Sequence, residues 1–570
     1  MQRARPVQTK MNSFRASVVQ TLARLGDLDE NIHILRERTA EAARDGAKLV
    51  VFPECMNTGY LFDSPAHCLE LAERLDGRYV QAMSELAREH DLYIASGFTE
   101  RVGDRAFNSG LLIDRRGELI LRYQKQFLAT HDQNWFEVGA VGNPVVETEL
   151  GKIGLLICFD GRIPEIARCL ALRGAQVIVD MANFFTMDQA DLWVPARAYE
   201  NGVWILAATK AGVERSIYYP GGSLIVDPEG TVRARIPYDE HGVVTAEITP
   251  AAALEKRWHH TGDRIADRRP GAYKLLQRPF ESTPVSAFVK ESLIPEALTV
   301  AVGAVQVHAT GEAAPGVLPA SVREGLDMVD HATKLGIRVI VLPLFFNSPA
   351  WNPGAEQAEK DALLVPAILA RARQLSKHAG CVIVLPVVER VDGSLRSTAI
   401  VLGPNGDVIG RQSQVHVEPE ARAWCVAGEE FELFETPFGR LGVVLGYDGL
   451  FAESTRSLAL AGADIVAWPC AWRHRNDRAL LGVPLAEDNR VYLICANRTD
   501  APYPGGSVVI GPAGIPLWTI DEVAPAVTRH GAVVPTHANL ALSRQKLMIP
   551  KVDMLRNRLV STYGPLTGGP

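Results

Sequence analysis

The sequence predicts a duplicated α/β fold, and two observations predict it. Short β-branched runs alternate with helix-patterned stretches throughout the chain, as at 48–52 (KLVVF), which follows an Ala/Glu/Arg-rich helix pattern and precedes a proline-containing loop. That alternation is the signature of α/β layering. The chain is also written twice: GKIGLLICFDGRIPE (151–165) and GRLGVVLGYDGLFAE (439–453) share spacing over their whole length, an offset of 288 residues from Gly151 to Gly439.

The same order recurs in FRASVVQ (14–20) and VAVGAVQ (300–306), and in KLVVFPE (48–54) and RVIVLPL (338–344). It recurs again in YPGGSLIVDPEG (219–230) and YPGGSVVIGPAG (503–514). Residues 12–278 therefore read as one domain and 298–570 as its second copy. Between them, 279–297 loses periodicity and gathers Pro, Ser and Thr, the composition of a linker. A fold duplicated in this way can cover its packing face internally, as two subunits of a dimer would.

The bulk properties narrow the function. With 570 residues, 47% hydrophobic and 22% charged, the chain is long enough for two ordinary cores. Its formal charge of -7 lacks the basic excess that a nucleic-acid partner demands. The eight cysteines form no CxxC pair or zinc-like cluster, which points to a reducing cytoplasm rather than a disulfide scaffold. The N-terminal stretch has no signal-peptide pattern and no run is long and apolar enough for a membrane span. The expectation is a cytoplasmic, soluble protein acting on a small molecule, without metal or organic cofactor.

Three residue positions carry chemistry. Cys158 ends the apolar run 153–157 and precedes FDGRIPE, so it stands where a strand turns toward a helix, with helix N-terminal amides nearby to stabilise negative charge. Glu54 follows the strand-like 48–52, placed to accept a thiol proton and return it to a leaving amine. Lys125 follows the turn-like 114–117 and the strand pattern after it. Beside a thiolate its ammonium would favour the anion and hold an oxyanion.

With these residues in the order Glu, Lys, Cys, the chain resembles the nitrilase superfamily of carbon–nitrogen hydrolases. The matching segments are VVFPECMNTGY around Glu54, RYQKQFL around Lys125 and ICFDGRIPE around Cys158, supported by ARAYENGVWILAATKAG (196–212), PGGSLIVDPEG (220–230) and DRRPGAY (267–273). The resemblance implies a Glu54–Lys125–Cys158 triad and tandem four-layer αββα sandwiches, internally pseudo-dimeric, with further homo-oligomers left open. One position departs from the family pattern: Asp132 stands where a second glutamate often lies. Either Asp132 positions the lysine or substrate from one methylene further back, or Glu137 substitutes from a shifted loop.

Mapped across the repeat, Glu54 becomes Leu344, Lys125 becomes Gln414 and Cys158 becomes Gly446, while the aspartates 160 and 448 coincide. The second copy has thus lost base, cation and nucleophile, which makes it a degenerate pseudoenzyme domain. For the first copy the expected substrates are, in order, a small carboxamide, an N-carbamoyl (ureido) amino acid and a nitrile, because Cys158-Phe159-Asp160 resembles the amidase and carbamoyl branches. Phe159, Asn183 and Arg162 are the substrate-binding candidates. Arg162 either binds a substrate carboxylate or packs in an internal ion pair. A non-enzymatic binding or scaffolding role is the competing class, and the complete first-copy triad argues against it.

Overall fold

The computed structural model describes residues 13–129, 131–258, 262–289, 299–308, 317–519 and 531–568. In the first half, one six-stranded sheet runs in the spatial order Gly242–Ile248, Phe14–Gln20, Ala47–Val51, Tyr93–Val102, Arg105–Ile113, Leu119–Gln124. The second has the order Val232–Arg235, Leu224–Val226, Trp204–Thr209, Val177–Ala182, Gly151–Ile157, Val145–Thr148. The three central strands of each sheet are parallel and the outer ones antiparallel. Two matching six-stranded sheets form the second half.

Strand alternation explains the layers. In the first sheet Val18, Leu49 and Val51 belong to a core shared with Leu155 and Val177 of the second sheet. Their chain neighbours Val19 and Val50 face the opposite way, onto Leu35, Val80, Met83 and Leu86 of the helices Leu28–Arg44 and Arg78–His90. Helix Pro164–Leu172 covers the far side of the second sheet through Ile166 and Leu170. The result is helix, sheet, sheet, helix, with parallel strands buried on both faces.

The two halves meet through the helices outside their second sheets. Arg168 pairs with Glu453 at 3.1 Å and Arg456 with Glu165 at 3.0 Å; Arg268 joins Glu453 at 2.8 Å and Arg558 joins Glu165 at 2.9 Å. Each contact is repeated with the halves exchanged, which is the isologous pattern of a twofold dimer inside one chain. Burial alone would raise these carboxyl groups, but the guanidiniums hold Glu165 below its ordinary value and Glu453 down at about 2. A single apolar core runs across this junction, from Ile166 and Leu276 to Phe451 and Leu566.

Residues 279–289, expected to be linker, are packed: they form short 3₁₀ turns, and Phe280 and Val285 are buried in the common core. The rest of the expected linker, 290–297, lies outside the described residues. No helix among the described residues is long and apolar enough to cross a membrane.

Candidate active site

Glu54, Lys125 and Cys158 converge between the two sheets of the first half. Strand Ala47–Val51 stops three residues before Glu54, and the backbone then crosses to the second sheet, where Glu54 N–H donates to the Ala182 carbonyl at 3.3 Å. Gly97 lets this turn approach the neighbouring strand, since a Cβ there would stand 2.4 Å from the Glu54 Cα. Lys125 follows the end of strand Leu119–Gln124. Cys158 follows strand Gly151–Ile157 and opens a 3₁₀ turn at φ 52°, in the left-handed region that non-glycine residues rarely occupy.

The ammonium of Lys125 lies 2.8 Å from Glu54 Oε1 and 2.7 Å from Asp132 Oδ2, and all three side chains are at most 1% exposed. Burial alone would lower this ammonium's pKa, yet the carboxylates of Asp132 and Glu54 raise it well above its ordinary value. Lys125 therefore stays charged and has one of its three N–H donors left over. Asn108 Nδ2 donates to Glu54 Oε1 at 2.5 Å, so that oxygen is doubly engaged, while Glu54 Oε2 is buried without a partner. Desolvation raises the Glu54 pKa and, further still, that of the Cys158 thiol, on which Glu54 adds to the rise and Lys125 opposes it. Burial thus disfavours the charged form of both groups, more strongly for the thiol than for the carboxyl group.

Asp132, rather than Glu137, faces Lys125. Its carboxylate also accepts the Tyr60 hydroxyl at 2.9 Å and the Ala129 N–H at 2.9 Å, whereas Glu137 is exposed. Asn183 is fully buried, receives the Cys158 S–H on its carbonyl at 3.7 Å, and has neither side-chain atom paired. Phe159 stacks on Phe127 with ring centroids 5.6 Å apart. Arg162 takes the second of its two expected roles: it pairs with Asp188 at 2.7 Å and with Glu487 of the second half at 3.2 Å, over the Trp193 ring at 4.2 Å. Its guanidinium is engaged inside the protein, which removes the basis for assigning it a substrate carboxylate.

Three contributors were not singled out by the sequence. Tyr60 closes the segment VVFPECMNTGY without a role of its own there, and Asn108 is a single polar residue on an otherwise ordinary strand. Asp180 lies within strand Val177–Ala182 and accepts the Cys158 N–H at 2.8 Å, fixing the turn that carries the thiol. In the second half the equivalent positions also converge: a Cβ on Gly446, itself at φ 46°, would lie 2.6 Å from Leu344 Cδ2. There Gln414 donates to Glu418 at 2.8 Å where Lys125 meets Asp132 in the first half.

Beside the first-half site opens a cavity of about 510 Å³, whose wall includes Phe159 and His131, the chain neighbours of Cys158 and Asp132, but none of Glu54, Lys125 and Cys158. Ala129, His131, Phe159 and Phe185 belong to its first-half wall; Phe185 also packs on Tyr60, the tyrosine bonded to Asp132.

A family model described as carbon-nitrogen hydrolase matches residues 15–257 and, a second time, 302–528. A nitrilase of Pyrococcus abyssi is 35% identical over 260 residues, covering 45% of this chain and 98% of that protein. Deaminated glutathione amidase of Mus musculus is 32% identical over 271 residues, covering 44% of this chain and 82% of that protein. Among solved structures, a mutant of the Nesterenkonia AN1 amidase from the nitrilase superfamily is 26% identical and covers 43% of this chain and 94% of its own, with a TM-score of 0.40.

Proposed function

Because this chain belongs to the carbon–nitrogen hydrolase family, we propose that its first half hydrolyses the C–N bond of a small carboxamide through a thioester on Cys158. The observation that carries this reading is the division of labour at Glu54: one oxygen is bound by Lys125 and Asn108, and the other is buried, unpartnered and available to the thiol proton.

The proton of Cys158 Sγ passes to Glu54 Oε2 as sulfur bonds to the carbonyl carbon. The resulting oxyanion is held by the free N–H of Lys125 and a backbone amide of the 158–162 turn. Glu54 then gives its proton to the substrate nitrogen, the C–N bond breaks, and ammonia or an amine leaves. Water attacks the thioester, surrendering a proton to Glu54; the C–S bond breaks, the acid departs and the proton returns to sulfur. Asp132 positions Lys125, and Asn183, with its amide unpaired, is placed to orient the substrate amide.

The relatives include an enzyme named as an amidase and one named as a nitrilase, and the Cys158-Phe159-Asp160 sequence favours amides. N-carbamoyl substrates rank second and nitriles third. We assign the second half no thiol chemistry, since Leu344, Gln414 and Gly446 supply neither base, cation nor nucleophile. All eight cysteines are free, which supports a reducing cytoplasmic setting. Turnover of a matched carboxamide, N-carbamoyl amino acid and nitrile by the full chain tests the assignment. The carboxamide is expected to have the highest kcat/KM; preference for either alternative would reassign the substrate class.

A further inference from the structure

The cavity beside the first-half site is not closed by the first half alone. Its opposite wall comes from the degenerate half: Met548, Ile549 and Pro550 supply an apolar surface, and Glu487 and Arg490 supply charge. The hairpin carrying the apolar wall is fastened to the loop beside Asp132, because Gln133 donates to the Lys551 carbonyl at 2.9 Å and Lys551 donates to Asn134 at 2.9 Å. A pseudoenzyme domain is thereby built into the mouth of its neighbour's pocket.

Arg490 differs from the other arginines at this junction. Arg162, Arg168, Arg197, Arg268, Arg456 and Arg558 each meet a carboxylate. Arg490 makes no ion pair among the described residues. It donates only to two backbone carbonyls, Pro512 at 2.8 Å and Gln545 at 3.3 Å, and Nη2 has no acceptor there. The two carboxylates in the cavity wall, Asp188 and Glu487, are both held by Arg162. Arg490 is 8% exposed; burial lowers its pKa, and Glu487, the carboxylate three residues before it that Arg162 holds, is the main charge opposing that shift.

Its backbone conformation is one that glycine also takes in the repeat. Helix Gly482–Asn489 ends at Arg490 with φ 50° and ψ 54°. The repeat-equivalent helix Val194–Asn201 ends at Gly202 with φ 58° and ψ 52°, the residue that this left-handed cap ordinarily selects. The second half thus keeps a long cationic side chain where its own repeat shows that glycine satisfies the fold.

We propose that Arg490 of the degenerate half is a specificity-determining residue for the first-half reaction, binding a carboxylate carried by the substrate at a distance from its scissile amide. This rests on the hydrolase reading above and narrows it to amides of acidic molecules, such as monoamides of dicarboxylic acids. The apolar wall at 548–550 takes the methylenes between the two ends. A guanidinium–carboxylate contact through Nη2 supplies selectivity that a neutral amide cannot reach.

The test uses the full chain and two matched substrate pairs: the monoamides of butanedioic and pentanedioic acid against butanamide and pentanamide. Wild-type protein is expected to favour the acids. R490G, which installs the residue that the repeat accepts, is expected to keep or raise the melting temperature. For the acids it should raise KM roughly ten- to hundredfold, with kcat and the neutral amides little changed. R490K should recover part of the loss. An equal KM rise on both members of a pair, or no change on the acids, overturns the proposal. Calorimetric binding of the acids to C158A protein separates this from the chemistry: R490G in that background should weaken binding about tenfold, and unchanged binding contradicts Arg490's role whatever the turnover assays give.

Discussion

The two halves carry the same turn at the end of the same strand, and differ in what stands on it. Residue 158 has φ 52° and residue 446 has φ 46°; the first is cysteine and the second glycine. A non-glycine residue in this region costs about 1–2 kcal/mol, so the strain persists only where a thiol is present. The scaffold around the turn is otherwise retained. Asp160 and Asp448 each accept the backbone N–H just after the lysine or glutamine region, from Phe127 and from Val415 and His416. Glu54 N–H and Leu344 N–H each cross to the opposite sheet, both at 3.3 Å. On the reading proposed above, sheet closure and catalysis are separable on this fold: the aspartate and the crossing hydrogen bond belong to the first, the Glu–Lys–Cys set to the second.

The sharpest break between the halves is the thiol itself. C158A is expected to lower kcat/KM by at least about 10⁴-fold in an amidase assay. G446A should leave turnover intact, because no reaction is assigned to the second turn. Next in size is the base. E54Q should cost roughly 10²–10⁴-fold and should also erase the acid limb of the pH profile. In wild type, Glu54 must be ionised to take the thiol proton, and burial raises its pKa, so kcat/KM should rise with pH through an apparent group above the ordinary 4.5. An acid limb at or below that value would remove Glu54 from the role.

Stability variants sharpen the comparison at the junction. E165A leaves Arg456 and Arg558 buried without their carboxylate, and E453A does the same to Arg168 and Arg268. Each should cost about 3–5 kcal/mol by denaturant unfolding, with similar values on the two sides of the pseudo-twofold. A large asymmetry would mean that one half depends on the other unequally. The smallest effect is G446A, whose Cβ meets Leu344 at a left-handed backbone position; about 1–3 kcal/mol is expected from melting, with activity unchanged.

Much of this was legible in the sequence because it is repeated in it. The offset between GKIGLLICFDG and GRLGVVLGYDG located both turns, and matching the flanks placed Leu344, Gln414 and Gly446 opposite the triad before any coordinates. The αββα layering and the Glu54–Lys125–Cys158 grouping followed from the family resemblance carried by those motifs. What stayed hidden was every partnership between distant single residues. The sequence left Arg162 open between a substrate carboxylate and an internal ion pair, because the carboxylate beside it, Glu487, lies 325 positions away. Asn108 and Asp180 occur once each, without spacing to mark them, and Tyr60 lies in a matching segment that does not show which residue it will bond. The packing of 279–289 was masked by its Pro and Ser content, which reads as linker even though Phe280 and Val285 bury themselves.

Acid-quenching the full-length protein during turnover of a small carboxamide, followed by peptide mass mapping of all eight cysteines, addresses the central division most directly. An acyl adduct on Cys158 alone, absent from C158A and stronger in E54Q relative to turnover, is the predicted result. Turnover with Cys158 unmodified under every quench time, or an acyl group on a second-half cysteine that forms at the catalytic rate, would contradict the account.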